Sequence, residues 1–218
     1  MIRPHTLARL NGARALAKFR EATAEDYAAF ARFFTELKAP EPVPSERVYE
    51  SLLVPRAFFA VESEVPSAIL CWRPEGDVLH VSMVAVLPER RRQGLGRQLM
   101  LEAARRGRAQ GFRRWQLNVA VDNAAAQALY AQLGMAAAFE TVLLEADVAI
   151  AMRHTAIRAD SFSVVGRFGE PPPPMDGSVS PVRVVVHGDA ALVDELCAAG
   201  GVVVHRTLRM SGEMPAAT

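Results

Sequence analysis

A chain of 218 residues, half of them apolar, under a quarter charged and with a formal net charge of +1, has the makeup of a globular protein with room for one domain of usual size and a smaller second one. It holds no run of about eighteen apolar residues, which excludes a membrane-spanning helix, and its opening Met1-Ile2-Arg3-Pro4 lacks the apolar core of a secretory signal. Cys71 and Cys197 lie far apart in strand-like and helix-like surroundings, so two buried reduced thiols and a cytoplasmic protein are expected.

The first twenty residues contain no acid and read as an exposed arm over 1–15 rather than a transit peptide. Residues 16–21 read as a strand. Thr23 can cap a helix whose first turn holds Glu25 and Asp26, with Tyr27, Phe30, Phe34 and Leu37 at helical spacing. Pro40, Pro42 and Pro44 break the chain, and Ser45 can cap a short helix to about 53. Residues 57–62 and 68–73 form a hairpin, and Glu75-Gly76-Asp77 turns into a longer strand over 78–86. Leu95, Leu99, Met100, Ala103 and Gly107 mark one face of the next helix, which stops at Gly111. A strand follows at 115–119. Asp122 or Asn123 then caps a helix carrying Ala126, Leu129, Tyr130 and Leu133 on one face and ending at Gly134. Residues 139–145 read as a further strand. The pattern is α/β, with a mixed central β-sheet flanked by helices.

Beyond about residue 151 the texture changes. Glu170 and the four prolines after it read as a stiff spacer, and 182–187, 189–199 and 201–206 read as strand, capped helix, strand. This makes 151–218 a small C-terminal β-α-β extension of the 16–150 domain, with a frayed end at 214–218. It carries no catalytic motif, so packing or formation of a homodimer is its expected role.

Two segments carry chemistry. In the first, the strand ending Val84-Ala85-Val86 exits through Leu87-Pro88 into Arg91-Arg92-Gln93-Gly94-Leu95-Gly96-Arg97. A glycine-rich turn between strand and helix lets the backbone approach an anion and aims first-turn N–H groups at it. The pattern is neither the P-loop nor the dinucleotide G-x-G-x-x-G. In the second, a strand-like Trp115-Gln116-Leu117-Asn118-Val119 precedes N-x-x-A-x-x-L-Y-x-x-x-G, from Asn123 through Tyr130 to Gly134.

The order strand, R-x-x-G-x-G, helix, strand, N-x-x-A-x-x-L-Y-x-x-x-G resembles the GNAT superfamily of acyl-CoA N-acyltransferases over residues 16–150. The resemblance implies a mixed sheet whose fourth and fifth strands splay apart to admit acetyl-CoA. It also implies transfer of the acetyl group to a primary amine of a small molecule or protein. By that resemblance the pyrophosphate lies against the backbone of Arg91, Arg92, Gln93, Gly94, Leu95, Gly96 and Arg97, with Gly94 and Gly96 giving clearance. Arg92 departs from a position where the family often has glycine. The pantetheine arm runs along Val84, Ala85 and Val86, and Asn123 bonds the pantetheine amide or caps its helix. Tyr130 stands where the family carries the acid that protonates the coenzyme A thiolate; the competing reading makes it part of the apolar face of its helix.

For the base, some family members place a carboxylate on the fourth strand, where this chain has His80. Period-two alternation sets His80 on the face of Ser82, Val84 and Val86, and an imidazole of pKa about 6.5 suits a base at neutral pH. Transfer of the proton to ordered water is the alternative, with Glu62 a lesser candidate. No metal is expected. Glu36, Glu41, Glu46 and Glu50, in the segment where the family chooses its acceptor, either attract a cationic amine or form a solvated surface. Nine arginines between 90 and 114 face only Glu89 and Glu102. They suit nucleic acid or a phosphate-bearing cofactor, and near-neutral overall charge argues against nucleic acid as partner. Two other functions remain open at this point: a non-catalytic acyl-CoA sensor, and an enzyme acetylating aminoacyl-RNA.

Overall fold

The structure, a computed structural model, describes residues 17–155, 162–165 and 172–216. The expected arm at 1–15 and the start of the proline run fall outside the described residues.

Apolar residues buried on both faces build the first half of the sheet. β1 (Lys18–Glu21), β2 (Ala57–Glu62), β3 (Val65–Glu75) and β4 (Val78–Val86) lie side by side, each antiparallel to the next. The β2–β3 turn places Ser63 and Glu64 at φ of 48° and 67°, the backbone twist that tight hairpins favour. Thr23 opens the first helical segment, its backbone N–H donating to Asp26 Oδ2 at 2.9 Å. α1 (Tyr27–Glu36), α2 (Glu46–Val48) and a π-turn at Tyr49–Leu53 then bury Phe30, Phe33, Phe34 and Tyr49 against Phe59, Ile69 and Met83. On the opposite face α3 (Leu95–Ala109) and α4 (Ala124–Gln132) bury Leu99, Met100 and Tyr130 against Leu79, Val81 and Trp115. Each large apolar side chain so buried contributes about 1.5–3 kcal/mol.

β5 (Arg114–Ala120) is parallel to β4 and pairs with it only from Val78 opposite Arg114 to Val81 opposite Leu117. Beyond Val81 the two strands separate, the splay that the resemblance implies.

The remaining elements are β6 (Ala136–Ala146), α5 (Val148–Thr155), β7 (Phe162–Val165), β8 (Val182–His187), α6 (Ala190–Ala198) and β9 (Val202–Glu213). The sheet order is β1-β2-β3-β4-β5-β9-β6-β8-β7. The strand-helix-strand read near the C-terminus is present, but its second strand runs on to Glu213 and enters the sheet between β5 and β6, antiparallel to both. α5 and β7 have no counterpart in the sequence reading, because neither offers more than two turns or four residues of pattern. A third core gathers Leu144, Val184, Leu192 and Leu196 between β6, β8 and α6. No helix among the described residues is long and apolar enough to cross a membrane.

Three expectations need correction. Cys197 is exposed while Cys71 is buried: α6 buries Leu192, Val193 and Leu196, and Cys197 falls just past that seam. Met214 is not frayed. It is 2 % exposed, its N–H donates to the Arg113 carbonyl at 2.8 Å, and it packs beside Gly107.

The third concerns His80. Cys71 pairs with Met83 and Trp72 with Val81, leaving Ser82 as the extra residue of a β-bulge. Before the bulge the odd residues Leu79 and Val81 face α3 and α4; after it the even residues Val84 and Val86 do. His80 is therefore on the opposite face from Val84 and Val86, because one inserted residue inverts a period of two. Its ring is buried, with Nδ1 3.2 Å from Glu75 Oε2 but not aligned for a hydrogen bond. Burial, helped by the Arg73 and Arg209 cations, holds its pKa well below the usual histidine value, and Glu75 only partly opposes this.

Two tests follow from this packing. A Cβ on Gly212 would lie 2.3 Å from the Gly134 carbonyl oxygen, a backbone atom at the α4 exit. Gly212→Ala should therefore destabilise the fold by about 1–3 kcal/mol, read as a lower urea midpoint. The unfolded chain protonates His80 more readily than the folded one, so its contribution to stability is complete above about pH 6.5 and is lost as pH falls below that. Urea midpoints measured from about pH 7 to pH 5 should drop for the wild type, and His80→Gln should flatten that drop.

Candidate active site

The splay between β4 and β5 opens a cleft of about 630 Å³. Val81 to Val84 form one wall, Leu117 to Ala120 the other, and Asn123, Ala126 and Tyr130 of α4 close one end. Leu37, Lys38 and Ala39, just after α1, and His205 and Thr207 of β9 border it on the other side. From Ser82 onward β4 pairs with β3 on one edge only. Its other edge offers the backbone groups to which an extended ligand can add as a strand.

A second cleft, of about 470 Å³, lies at the N-terminus of α3. It is bordered by Val86, the 90–92 arginines, Gly94 to Arg97 and the outer face of α4, and Ala126 lines both clefts. Gly94 caps α3 at φ 83°, and Arg92 lies at φ 64°. The first is the left-handed conformation that glycine adopts without strain. No acid occupies the first turn of α3, so the N–H groups of Leu95, Gly96 and Arg97 and the helix dipole suit an anion. Gly96 has a further reason to be glycine: a Cβ there would sit 3.3 Å from Leu129 Cδ2. Its bareness lets α4 approach α3.

Around this turn several side chains are already committed. Arg91 donates through Nε to the Val86 carbonyl at 3.1 Å and through Nη2 to Glu36 at 2.8 Å, tying the end of α1 to the end of β4. Gln93 Nε2 donates to the Glu89 carbonyl at 3.1 Å. The arginine cluster is largely engaged within the molecule. Arg90 pairs with Glu62, Arg105 and Arg106 both bond Glu102 at 2.7 Å, and Arg108 donates to the Met214 and Pro215 carbonyls. Glu36 and Glu41 are taken up likewise, Glu41 by Arg183 of β8.

Asn123 caps α4, its Oδ1 accepting from the Ala126 N–H at 3.1 Å while the residue borders the cleft. Tyr130 is 7 % exposed, with its ring in the core beneath α3 and α4. Burial pushes its phenol up to about 12, which keeps the proton in place across the physiological range. Val84 borders the first cleft and Val86 the second, whereas Ala85 turns into the α1 core. Most of the expected site residues thus border one or other of the two clefts, which share Ala126. His80 borders neither.

Sequence reasoning missed Asn118, His205 and Thr207. The last two lie on a strand taken to end at 206, outside the domain. The signal was the alternation of Thr207, Arg209 and Ser211 with Leu208 and Met210, which continues the strand for two more pleats.

The model of the acetyltransferase (GNAT) family matches residues 20–135. Among solved structures, a putative acetyltransferase from Pyrococcus horikoshii aligns with TM-score 0.66 at 12 % identity, covering 97 % of this chain and 94 % of its own. Ard1 from Thermoplasma volcanium aligns with TM-score 0.56 at 12 % identity, over 93 % of this chain and all of its own. The ribosomal-protein-S18-alanine N-acetyltransferase from Escherichia coli gives 0.52 at 18 % identity, over 92 % and 96 %. These likenesses are of fold. No curated protein sequence matches the chain. The family model spans more than half of the sequence and includes the α3 turn, the splayed strands and Tyr130, and the protein belongs to the GNAT family of acetyltransferases, enzymes that use acetyl-CoA.

Proposed function

We propose that this protein binds acetyl-CoA through the α3 turn and the free edge of β4, and transfers the acetyl group to a primary amine of a small molecule or protein. The observation that carries the reading is that both clefts are lined by Ala126, so that they adjoin at the start of α4. One ligand can run from an anion site at a helix N-terminus, past a bare strand edge, to a buried phenol. Bound acetyl-CoA would supply the thioester.

The protein's own groups have three tasks. The N–H groups at the start of α3, with Gly94 leaving room, hold the phosphates. The unpaired edge of β4 from Ser82 to Val86 aligns the pantetheine arm and offers an N–H to polarise the thioester carbonyl. Tyr130 keeps its proton until a thiolate develops beside it, then donates. A retained acid supports an enzyme over a sensor that only binds.

His80 is not given the base role. It is off the cleft, on the far side of the bulge, and its pKa is depressed. We assign the proton from the amine to solvent in the cleft instead, with the acceptor arriving from the α1 side.

Three outcomes test the proposal. Gly94→Glu should abolish acetyl-CoA binding in calorimetry while the far-UV circular dichroism stays unchanged. Tyr130→Phe should bind acetyl-CoA nearly as well as the wild type and release thiol about 10²- to 10⁴-fold more slowly. Because burial keeps Tyr130 protonated, wild-type turnover should rise with pH and not fall before about pH 10; an alkaline decline that begins near neutrality would remove the phenol from the mechanism.

A further inference from the structure

The α1-side face of the splay holds a polar arrangement that acetyl-CoA binding does not explain. Asn118 is the first residue of β5 beyond the last β4–β5 pair, so it stands at the apex of the opening. Its neighbours Leu117 and Val119 face the α3–α4 core, which turns Asn118 to the other face, where it is exposed and borders the cleft. Directly opposite it on β9 lies Arg209.

Arg209 is 8 % exposed, and its Nε donates to Asn118 Oδ1 at 2.7 Å. Glu75 Oε1 lies 3.8 Å from Nη1, and the guanidinium sits 5.7 Å from the centre of the Phe139 ring. A guanidinium can only donate. It therefore fixes which way round the Asn118 amide sits, since the flipped amide would set its NH₂ against a buried cation. Oδ1 is committed inward and Nδ2 is left as a donor without a partner among the described residues. Thr207, the neighbouring polar residue on β9, donates its hydroxyl to the Thr141 carbonyl at 3.3 Å.

Resting on the function proposed above, we infer that Asn118 is a specificity residue and Arg209 the positioning residue that orients it. The Asn118 Nδ2 donor grips an oxygen on the carbon attached to the one that bears the reacting amine. The acceptors are then α-amino compounds whose neighbouring carbon carries a carbonyl or carboxylate oxygen, either free amino acids or amides and peptides with a free amino end. A donor aimed at such an oxygen favours acceptors that carry it over an analogue whose methyl group offers the amide N–H nothing to bond.

The test compares three acceptors that share one skeleton: L-alanine, L-alanine amide and isopropylamine. Thiol release from acetyl-CoA by the full chain gives kcat/KM for each, calculated on the unprotonated amine. The wild type should favour alanine or its amide over isopropylamine by at least about 10-fold. Preference for alanine identifies a carboxylate and preference for the amide identifies a carbonyl. Asn118→Ala should bring the ratio close to one through a higher KM for the oxygen-bearing acceptor. Arg209→Met should lower the ratio in the same way, and Arg209→Gln, which keeps an N–H donor, should restore part of it. If the Arg209 variants fail to fold, the exposed Asn118 still decides the matter. A ratio near one in the wild type, an unchanged ratio in Asn118→Ala, or acetylation of none of the three overturns the inference. Calorimetry with acetyl-CoA separates the two levels: binding without selectivity defeats this inference alone, while no binding defeats the proposed function as well.

Discussion

β4 and β5 share a parallel ladder for only four residue pairs, and the placement of every candidate site residue depends on where that ladder stops. Parallel neighbours in a closed α/β sheet ordinarily keep their hydrogen bonds along the whole strand. Here the bulge at Ser82 bends β4 away just as the ladder ends. An unpaired strand edge inside a protein is costly unless something satisfies its N–H and C=O groups. Here that edge borders the cleft.

Holding such a gap open requires rigidity on both sides. On the β4 side the strand is paired with β3 along its length apart from Ser82 and anchored at its end by Arg91, which joins the Val86 carbonyl to Glu36 of α1. On the β5 side the support is β9, paired with β5 from Arg114 to Ala120. α3 and α4 bridge the gap from below, drawn close by the bare Cα of Gly96 against Leu129. The glycine turn at the start of α3, the strand edge and the phenol are thus mounted on three elements that share one core.

The α3 turn and the α4 helix were legible because each is written in contiguous residues. Gly94 and Gly96 announce a backbone with special demands, and Asn123, Leu129 and Tyr130 fall at helical spacing. The splay itself was available only through the family resemblance, since no local pattern says where a ladder stops. Two features escaped for physical reasons. The bulge at Ser82 adds one residue without changing composition, and this was enough to misplace His80. β9 was misjudged because its partners are distant in sequence, and a strand paired on both edges shows the same alternation as one at an edge. With β9 misplaced, the Arg209–Asn118 contact could not be foreseen.

The position of β9 also bears on the order in which the molecule can be made. Asn118 and Arg209 are separated by 91 residues, and β6, β8 and α6 all emerge from the ribosome between them. Until β9 arrives, β5 and β6 present open edges to one another with a strand's width between them, a geometry that invites pairing with the wrong partner. Long-range pairing of this sort closes late and slowly. A nascent chain would therefore hold the α3 turn, Asn118 and Tyr130 well before Arg209 arrives to orient the Asn118 amide, so that this side chain takes up its final orientation only when the last strand is in place.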